Sequence, residues 1–270
     1  MKSLNISLVT ILFFFAFGYY REKISERNKS EIPTEKVEYV KDEMTKILDT
    51  FDENMMFEDF ESPKDIPLIE NPQSDEEIVV NLIREHTNRL NSNTSDYQNK
   101  IIKLKTFFVV GDLNGIKEIL MALSYEDINQ DIGQATKLAE DYLDLFKKEK
   151  EDLFKEALSI NFSNLDFSKG FKSSSKTSMT KAVNFQSSMT ALDLKYFNLT
   201  GEMAKALKNC IDDWSTEETS EGIIFNFENL SYEDSSEIYM LSEKMDEISE
   251  EQVELFQMHQ QTLRDKIQKF

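Results

Sequence analysis

Proline is scarce in this chain, and its positions divide the sequence in two. All four prolines lie before residue 73, at Pro33, Pro63, Pro67 and Pro72. Because proline disrupts the interior of a helix, the long stretch that follows has no residue that forces a break. Glycine is also scarce, with seven residues in the chain. Long helices are therefore expected from residue 74 onward.

Cysteine is nearly absent too. The chain has one, Cys210, so it cannot form an internal disulfide. This favours a bacterial envelope over a disulfide-dense eukaryotic secretome for an exported protein. Cys210 belongs to an apolar helical stripe with Leu207 and Trp214, where a buried thiol is expected. A nucleophilic role would need a histidine and a third orienting group, which no spacing indicates.

Positive charge is in the minority. The 51 acidic residues outnumber the 31 lysines and arginines, which gives a formal charge of −20. Nucleic acids bind clustered Lys and Arg, so the balance argues against nucleic acid or anionic lipid as the main partner and favours basic partners. Hydrophobic residues make up 40% of the chain, enough for a globular core.

Residues 1–20 are strongly apolar and are predicted to be a signal peptide or a membrane anchor. The stretch Leu8–Phe17 has the length of a signal-peptide core, and cleavage after Gly18 fits the small residues there. The alternative is an uncleaved anchor of about 17 residues, through which the protein contacts the membrane. Both predict export, to the periplasm or to the inner membrane facing it, although the basic flank after residue 20 favours the opposite orientation.

Two further regions follow in the predicted organisation. Residues 21–73 form an acidic, proline-bearing tether with one short amphipathic helix, because carboxylates dominate and repel one another. Residues 74–270 form a helical globular domain. Its helices are predicted near 75–91, 96–110, 113–123, 125–158, 191–214, 235–248 and 250–268, with capping signals at Ser74, Ser95, Ser124, Thr190 and Ser249.

Three apolar-Asn-Phe triplets depart from the helical pattern. They are Ile160–Phe162, Val183–Phe185 and Phe225–Phe227. Their alternation is typical of half-buried strands. The predicted fold is therefore mainly α, a helical bundle-like body with a small three-stranded antiparallel sheet.

Several short segments resemble binding motifs without completing them. Gly170–Thr177 has Ser175 where a phosphate-binding loop needs its second glycine, so a flexible surface loop is expected. Asp127–Gly133 resembles a calcium loop, but its glycine comes late and a helix start is expected. His86 and His259 lack metal-site spacing and are placed on helix surfaces. No cofactor or metal is predicted, and the charged run Lys147–Asp152 is expected to form a solvated helical face.

Four lysines stand out against the acidic background. Lys169, Lys172, Lys176 and Lys181 lie in the stretch 167–192, which contains no acidic residue. The stretch is polar and falls between two predicted strands. We expect these lysines to form an exposed interaction loop that docks on an acidic surface, either of a partner or of the chain's own tether.

No complete catalytic motif is present, so the predicted function is non-enzymatic: a membrane-directed helical interaction or scaffold protein of the bacterial envelope that binds another protein. The alternative is a helical envelope hydrolase that uses a carboxylate as general acid. In a chain with 51 acidic residues some pair always resembles a catalytic one, so the sequence does not indicate which carboxylates would act. The segment Gly111–Leu120 resembles part of one ankyrin or HEAT-type unit, but a solenoid needs several copies.

Export can be tested directly with the first 30 residues. Fused to a reporter that is active only outside the cytoplasm, they are expected to give signal, because the apolar core of the segment outweighs the basic flank. The measurement is reporter activity in cells, compared with a reporter active only in the cytoplasm. Activity with the cytoplasmic reporter alone would contradict export.

Overall fold

The computed structural model describes residues 66–75, 77–90, 116–162, 165–219, 222–226 and 229–268, with isolated residues 42, 45 and 92. Most of these residues are helical, which confirms the mainly α class. The elements follow in the order α1 (75 and 77–90), α2 (Ile116–Ala122), α3 (Tyr125–Ser159), α4 (Leu165–Asn209), β1 (Ser215–Thr219), β2 (Gly222–Asn226) and α5 (Tyr232–Gln268). The segments at 1–20 and 96–110, predicted as signal or anchor and as a helix, lie outside the described residues.

The chain forms two compact units. Within the described residues, unit 1 comprises 66–92, 143–188 and 255–268, and unit 2 comprises 116–142 and 189–254. α3, α4 and α5 are 35, 45 and 37 residues long, and each contributes residues to both units. Such lengths are possible because no proline interrupts them.

In unit 1, an extended segment before α1 is held by two asparagine side chains. Asn88 accepts a hydrogen bond from the Ile66 amide at 2.8 Å and donates one to the Ile66 carbonyl at 2.9 Å. Asn81 makes the same pair of bonds with Ile69, at 2.7 and 2.8 Å. We call residues 66–69 the strap. It belongs to the predicted tether, and both of its paired residues have their backbone groups satisfied.

The start of α1 follows the predicted capping pattern. The Glu77 amide donates to Ser74 Oγ at 3.2 Å, and the Ser74 amide donates to Glu77 Oε2 at 3.2 Å. This reciprocal pair satisfies two amides that a helix start leaves without partners. Arg84, one turn after Asn81, donates to the Pro67 carbonyl at 2.7 Å and gives the strap a third attachment.

Unit 1 buries apolar side chains from α1, α3 and α4. On α1, Val79, Ile83 and Leu90 are buried at the spacing of one helix face. Phe162, between α3 and α4, packs edge to face on Phe171 with ring centroids 5.1 Å apart. Burial of each large apolar side chain contributes about 1.5–3 kcal/mol to stability.

Unit 2 has a core centred on the end of α4. Trp214 is buried and donates through Nε1 to the Leu207 carbonyl at 2.8 Å. Lys117 of α2 donates to the Trp214 carbonyl at 2.8 Å, which attaches the short helix α2 to this core. Gly201 permits close approach of α4 to α3, because a Cβ there would lie 2.9 Å from Ile132 Cγ1.

The two strands of unit 2 form an antiparallel hairpin, in which Ser215 pairs with Asn226 and Thr219 pairs with Gly222. Phe225 and Asn226 of the third predicted strand belong to it, and Phe227 lies outside the described residues.

The other two predicted strands are not strands. Val183–Phe185 lies inside α4, and Ile160–Phe162 forms no regular element. Three alternating residues fit a strand or a helix equally well, so the wider pattern decides. Buried Ala182, Phe185 and Met189 follow one another at intervals of three and four residues, which is helical spacing.

Two predicted helix starts also lie in helix interiors. Thr190 is buried within α4, which begins at Leu165, and Ser249 lies within the single helix α5. Ser249 Oγ donates to the Met245 carbonyl at 3.0 Å, four residues back. A hydroxyl can make this bond inside a helix, so a capping pattern alone does not mark a start. The predicted cap at Ser124 is confirmed, since Ser124 and Asp127 exchange hydrogen bonds at 2.8 and 3.1 Å.

None of the helices in the described ranges is both long enough and apolar enough to cross a membrane.

The asparagine contacts predict how the strap can be released. In the double variant Asn81→Asp and Asn88→Asp, a carboxylate oxygen replaces each amide donor and faces a backbone carbonyl. Each lost bond weakens attachment by about 1–3 kcal/mol. We expect thermolysin to cut within residues 66–69 at least tenfold faster than in the unmodified chain, measured by mass spectrometry. Asn184→Asp, at an exposed position of α4, is the matched control. Equal cutting rates in all three proteins would show that these bonds do not hold the strap.

Candidate functional site

The four lysines singled out in the sequence lie in helix α4 rather than in a loop between strands. Lys169, Lys172 and Lys176 are spaced as i, i+3 and i+7 and share one face; we call them the basic stripe. Lys169 and Lys176 are exposed and Lys172 is half-buried. Lys181 is exposed on a different face. The prediction of a loop is wrong because buried residues on the opposite side of α4 continue the helical spacing.

The incomplete motifs are helical as well. Gly170–Thr177 lies within α4, so the expected surface loop does not form, whereas Asp127–Gly133 occupies the start of α3 as predicted. Cys210 is buried, as expected, and burial raises the pKa of its thiol, which disfavours a reactive thiolate. Among the described residues, no group of His, Cys, Asp or Glu is arranged to hold a metal ion.

A polar cluster in unit 1 joins α1 to α3. Arg89 Nε donates to Glu149 Oε2 at 3.1 Å, and Arg89 Nη2 donates to Glu156 Oε1 at 3.0 Å. His86 lies between two cationic side chains, with Nδ1 3.3 Å from Arg89 Nη2 and Nε2 3.3 Å from Lys150 Nζ. We call these five residues the His86 cluster.

Three members of the cluster are removed from water, whereas the side chains of Arg89 and Glu156 are 40% and 43% exposed. His86 is 0% exposed, Lys150 is 1% exposed and Glu149 is 7% exposed. Burial lowers the pKa of Lys150 well below its ordinary 10.5, and burial with the nearby Lys150 and Arg89 lowers the pKa of His86 well below 6.5. Burial also works to lower the pKa of Arg89, but Glu156 and Glu149 outweigh it, and that pKa is raised. The guanidinium is thus the permanent positive charge of the cluster.

These positions correct two predictions from the sequence. His86 is not on a helix surface, and the charged run Lys147–Asp152 is not uniformly solvated, because Glu149 and Lys150 are buried. The spacing of apolar residues along both helices indicates that these side chains are buried. Lys150 continues the buried stripe of α3 between Phe146 and Leu153, and His86 lies on the buried face of α1.

The outward face of α5 in unit 2 is the second notable surface. Tyr232 is 89% exposed and Tyr239, two helical turns later, is 61% exposed. Val253 lies on the same side of the helix and is 53% exposed, whereas Ile238 and Leu241 on the opposite side are buried. Residues 232–254 contain nine carboxylates and one lysine. We call this surface the acidic face.

No protein-family model, curated protein or solved structure matches this chain. No relative's activity therefore bears on it, and its function has to follow from its own buried and exposed groups.

The ion pairs of the His86 cluster predict a large difference between two substitutions. Arg89→Met removes the guanidinium that donates to Glu149, whose side chain is 9% exposed. The Arg89 side chain is 40% exposed, so solvent screens the pair in part, and the free energy of unfolding of unit 1 is expected to fall by about 1–3 kcal/mol. The measurement is urea denaturation followed by circular dichroism.

Lys155→Met is the matched control on α3. Lys155 pairs with Asp152 at 3.1 Å, but its side chain is 69% exposed. Its loss should change stability by about 0–1 kcal/mol. Similar effects of the two substitutions would contradict a structural role for the pair of Arg89 with Glu149.

Proposed function

We propose that the protein is a helical interaction or scaffold protein of the bacterial envelope, and that it binds another protein through the acidic face of α5. The observation that carries the proposal is the exposure of Tyr232 and Tyr239 on a helix side crowded with carboxylates.

Exposed tyrosines on a regular helix are suited to binding. A tyrosine has few rotatable bonds and combines an apolar ring with a polar hydroxyl, so it loses little entropy when a partner covers it. Tyr232 and Tyr239 are spaced i and i+7 and therefore lie in line along the helix. Met240, 46% exposed, adds an adaptable apolar group beside them.

The charges around these rings favour a basic partner. Eight of the nine carboxylates at 232–254 are exposed, and the single base there is Lys244. Such a field attracts a positively charged partner and repels acidic ones, which affects both association rate and specificity. A segment with apolar side chains along one side and Lys or Arg at its margins matches the acidic face.

The basic stripe is proposed as a second contact, for an acidic segment. It lies in unit 1, and the exposed ion pairs that it can form are worth about 0–1 kcal/mol each. Lys181, outside the stripe, adds to the same positive field. This contact is therefore expected to be weaker than the acidic face and more sensitive to salt.

The location of this function is part of the proposal. Residues 1–20 would direct the chain to the envelope, as a cleaved signal or as an anchor, so that its partner would be a protein of that compartment.

Site-specific photo-crosslinking in cells tests the acidic face. With benzoylphenylalanine in place of Tyr239, the full chain is expected to crosslink to a segment rich in Lys and Arg, identified by sequencing the crosslinked peptide. Tyr232→Ser in the same chain should reduce the yield about tenfold, because the aromatic contacts of a hot spot are lost.

The same crosslinker in place of Leu158 provides the control, since Leu158 is an exposed apolar residue of α3 in unit 1. It should not capture the basic segment. A crosslinker at Lys176 tests the basic stripe and should capture an acidic segment. Capture of lipid or of an acidic segment at residue 239, or the same partner at residue 158, would contradict the proposed role of the acidic face.

A further inference from the structure

The imidazole of His86 is contacted from both sides by nitrogen atoms that ordinarily carry protons. Arg89 Nη2 lies 3.3 Å from Nδ1, and Lys150 Nζ lies 3.3 Å from Nε2. Both His86 and Lys150 are fully buried, so water cannot supply alternative partners. The positions of the protons must therefore be consistent across the three side chains.

The arginine determines the histidine tautomer. A guanidinium only donates hydrogen bonds, so Nδ1 of His86 must accept and cannot carry a proton. A neutral imidazole has one ring proton, which must then be on Nε2. The nearest carboxylate oxygen, Glu149 Oε2, is 3.8 Å from Nδ1, beyond hydrogen-bond distance, and accepts from Arg89 Nε instead.

The tautomer in turn determines the state of the lysine. With its proton on Nε2, His86 donates toward Lys150 Nζ, which must supply a lone pair. An ammonium has no lone pair, whereas a neutral amine has one. Burial lowers the pKa of Lys150 and that of His86, and both shifts favour the neutral forms.

We propose that Arg89, His86 and Lys150 form a pH-sensitive clasp between α1 and α3, which holds while Lys150 is an uncharged amine and loosens when either base takes up a proton. The charged groups that face the two bases are Arg89 from α1 and Glu149 from α3, with Glu156 on the far side of the guanidinium. The ring of Phe146, centred 4.7 Å from Nζ, covers the amine.

The direction of the pH effect follows from the two bases. Each has a lower pKa in the closed clasp than in the open state, so the open state binds more protons and opening is favoured as pH falls. Lys150 contributes to this pH dependence below its ordinary pKa of 10.5, and His86 contributes below its ordinary pKa of 6.5. Each contribution ends at the pH at which the base also takes up a proton in the closed state. One proton corresponds to a tenfold change in the opening equilibrium for each pH unit, and two to a hundredfold change.

Hydrogen exchange of the α1 amides in the full chain measures this equilibrium. After correction for the intrinsic exchange rate, the protection of residues 75–90 is expected to rise about tenfold per pH unit between pH 7 and 9. Below pH 6.5 the dependence should become steeper. Lys150→Met should remove the slope between pH 7 and 9, and Lys155→Met, on the exposed side of α3, should retain it. The same slope in Lys150→Met would overturn the proposal.

A spectroscopic measurement tests the proton positions without changing the clasp. The chain has two histidines, so His259→Gln leaves the signals of His86 alone in a sample labelled with 15N-histidine. At pH 7.5 the ring-nitrogen chemical shifts should show a neutral imidazole with its proton on Nε2. An imidazolium, or a proton on Nδ1, would overturn the proposal even if Lys150→Met fails to fold.

Discussion

A lysine ammonium is one of the most strongly hydrated groups in a protein, and unit 1 removes one from water at Lys150. Burial of that charge without a partner would be strongly unfavourable, so the surrounding side chains have to stabilise the neutral amine. His86 supplies a hydrogen-bonding partner, while Arg89 fixes the imidazole and carries the remaining positive charge to Glu149 and Glu156. The pairing of α1 with α3 thus depends on where the protons are as well as on apolar packing.

The sequence predicted the fold class and several helix bounds for physical reasons that hold locally. The cap residues Ser74 and Ser124 mark α1 and α3 because their hydroxyls satisfy free amides at those helix starts. Thr190 and Ser249 were wrongly predicted as helix starts. The helical spacing of apolar residues continues on both sides of each, which favours an uninterrupted helix. The predicted strand at Val183–Phe185 failed for a related reason, since three residues are too few to separate two periodicities.

The candidate sites were predicted only in part. The composition indicated the four lysines, because a region without acidic residues is conspicuous in an acidic chain. Their arrangement on a helix could be recognised only from the spacing of apolar residues over a longer stretch of sequence. The buried Lys150 and His86 were missed because charge was taken to indicate exposure, although both lie on buried helix faces. The partnership of Arg89 with Glu149 joins residues 60 positions apart, and no local pattern specifies such a pair.

The strap illustrates how a segment can be held through its backbone. Asn81 and Asn88 bind the amide and carbonyl groups that nearly every residue possesses, so these bonds require an N–H at positions 66 and 69, where both isoleucine side chains are half-buried. Proline is compatible with position 67 because only the Pro67 carbonyl takes part in a hydrogen bond, which it accepts from Arg84. Proline should therefore be excluded at positions 66 and 69, and the two asparagines should tolerate little change, whereas the exposed positions 67 and 68 should vary more freely.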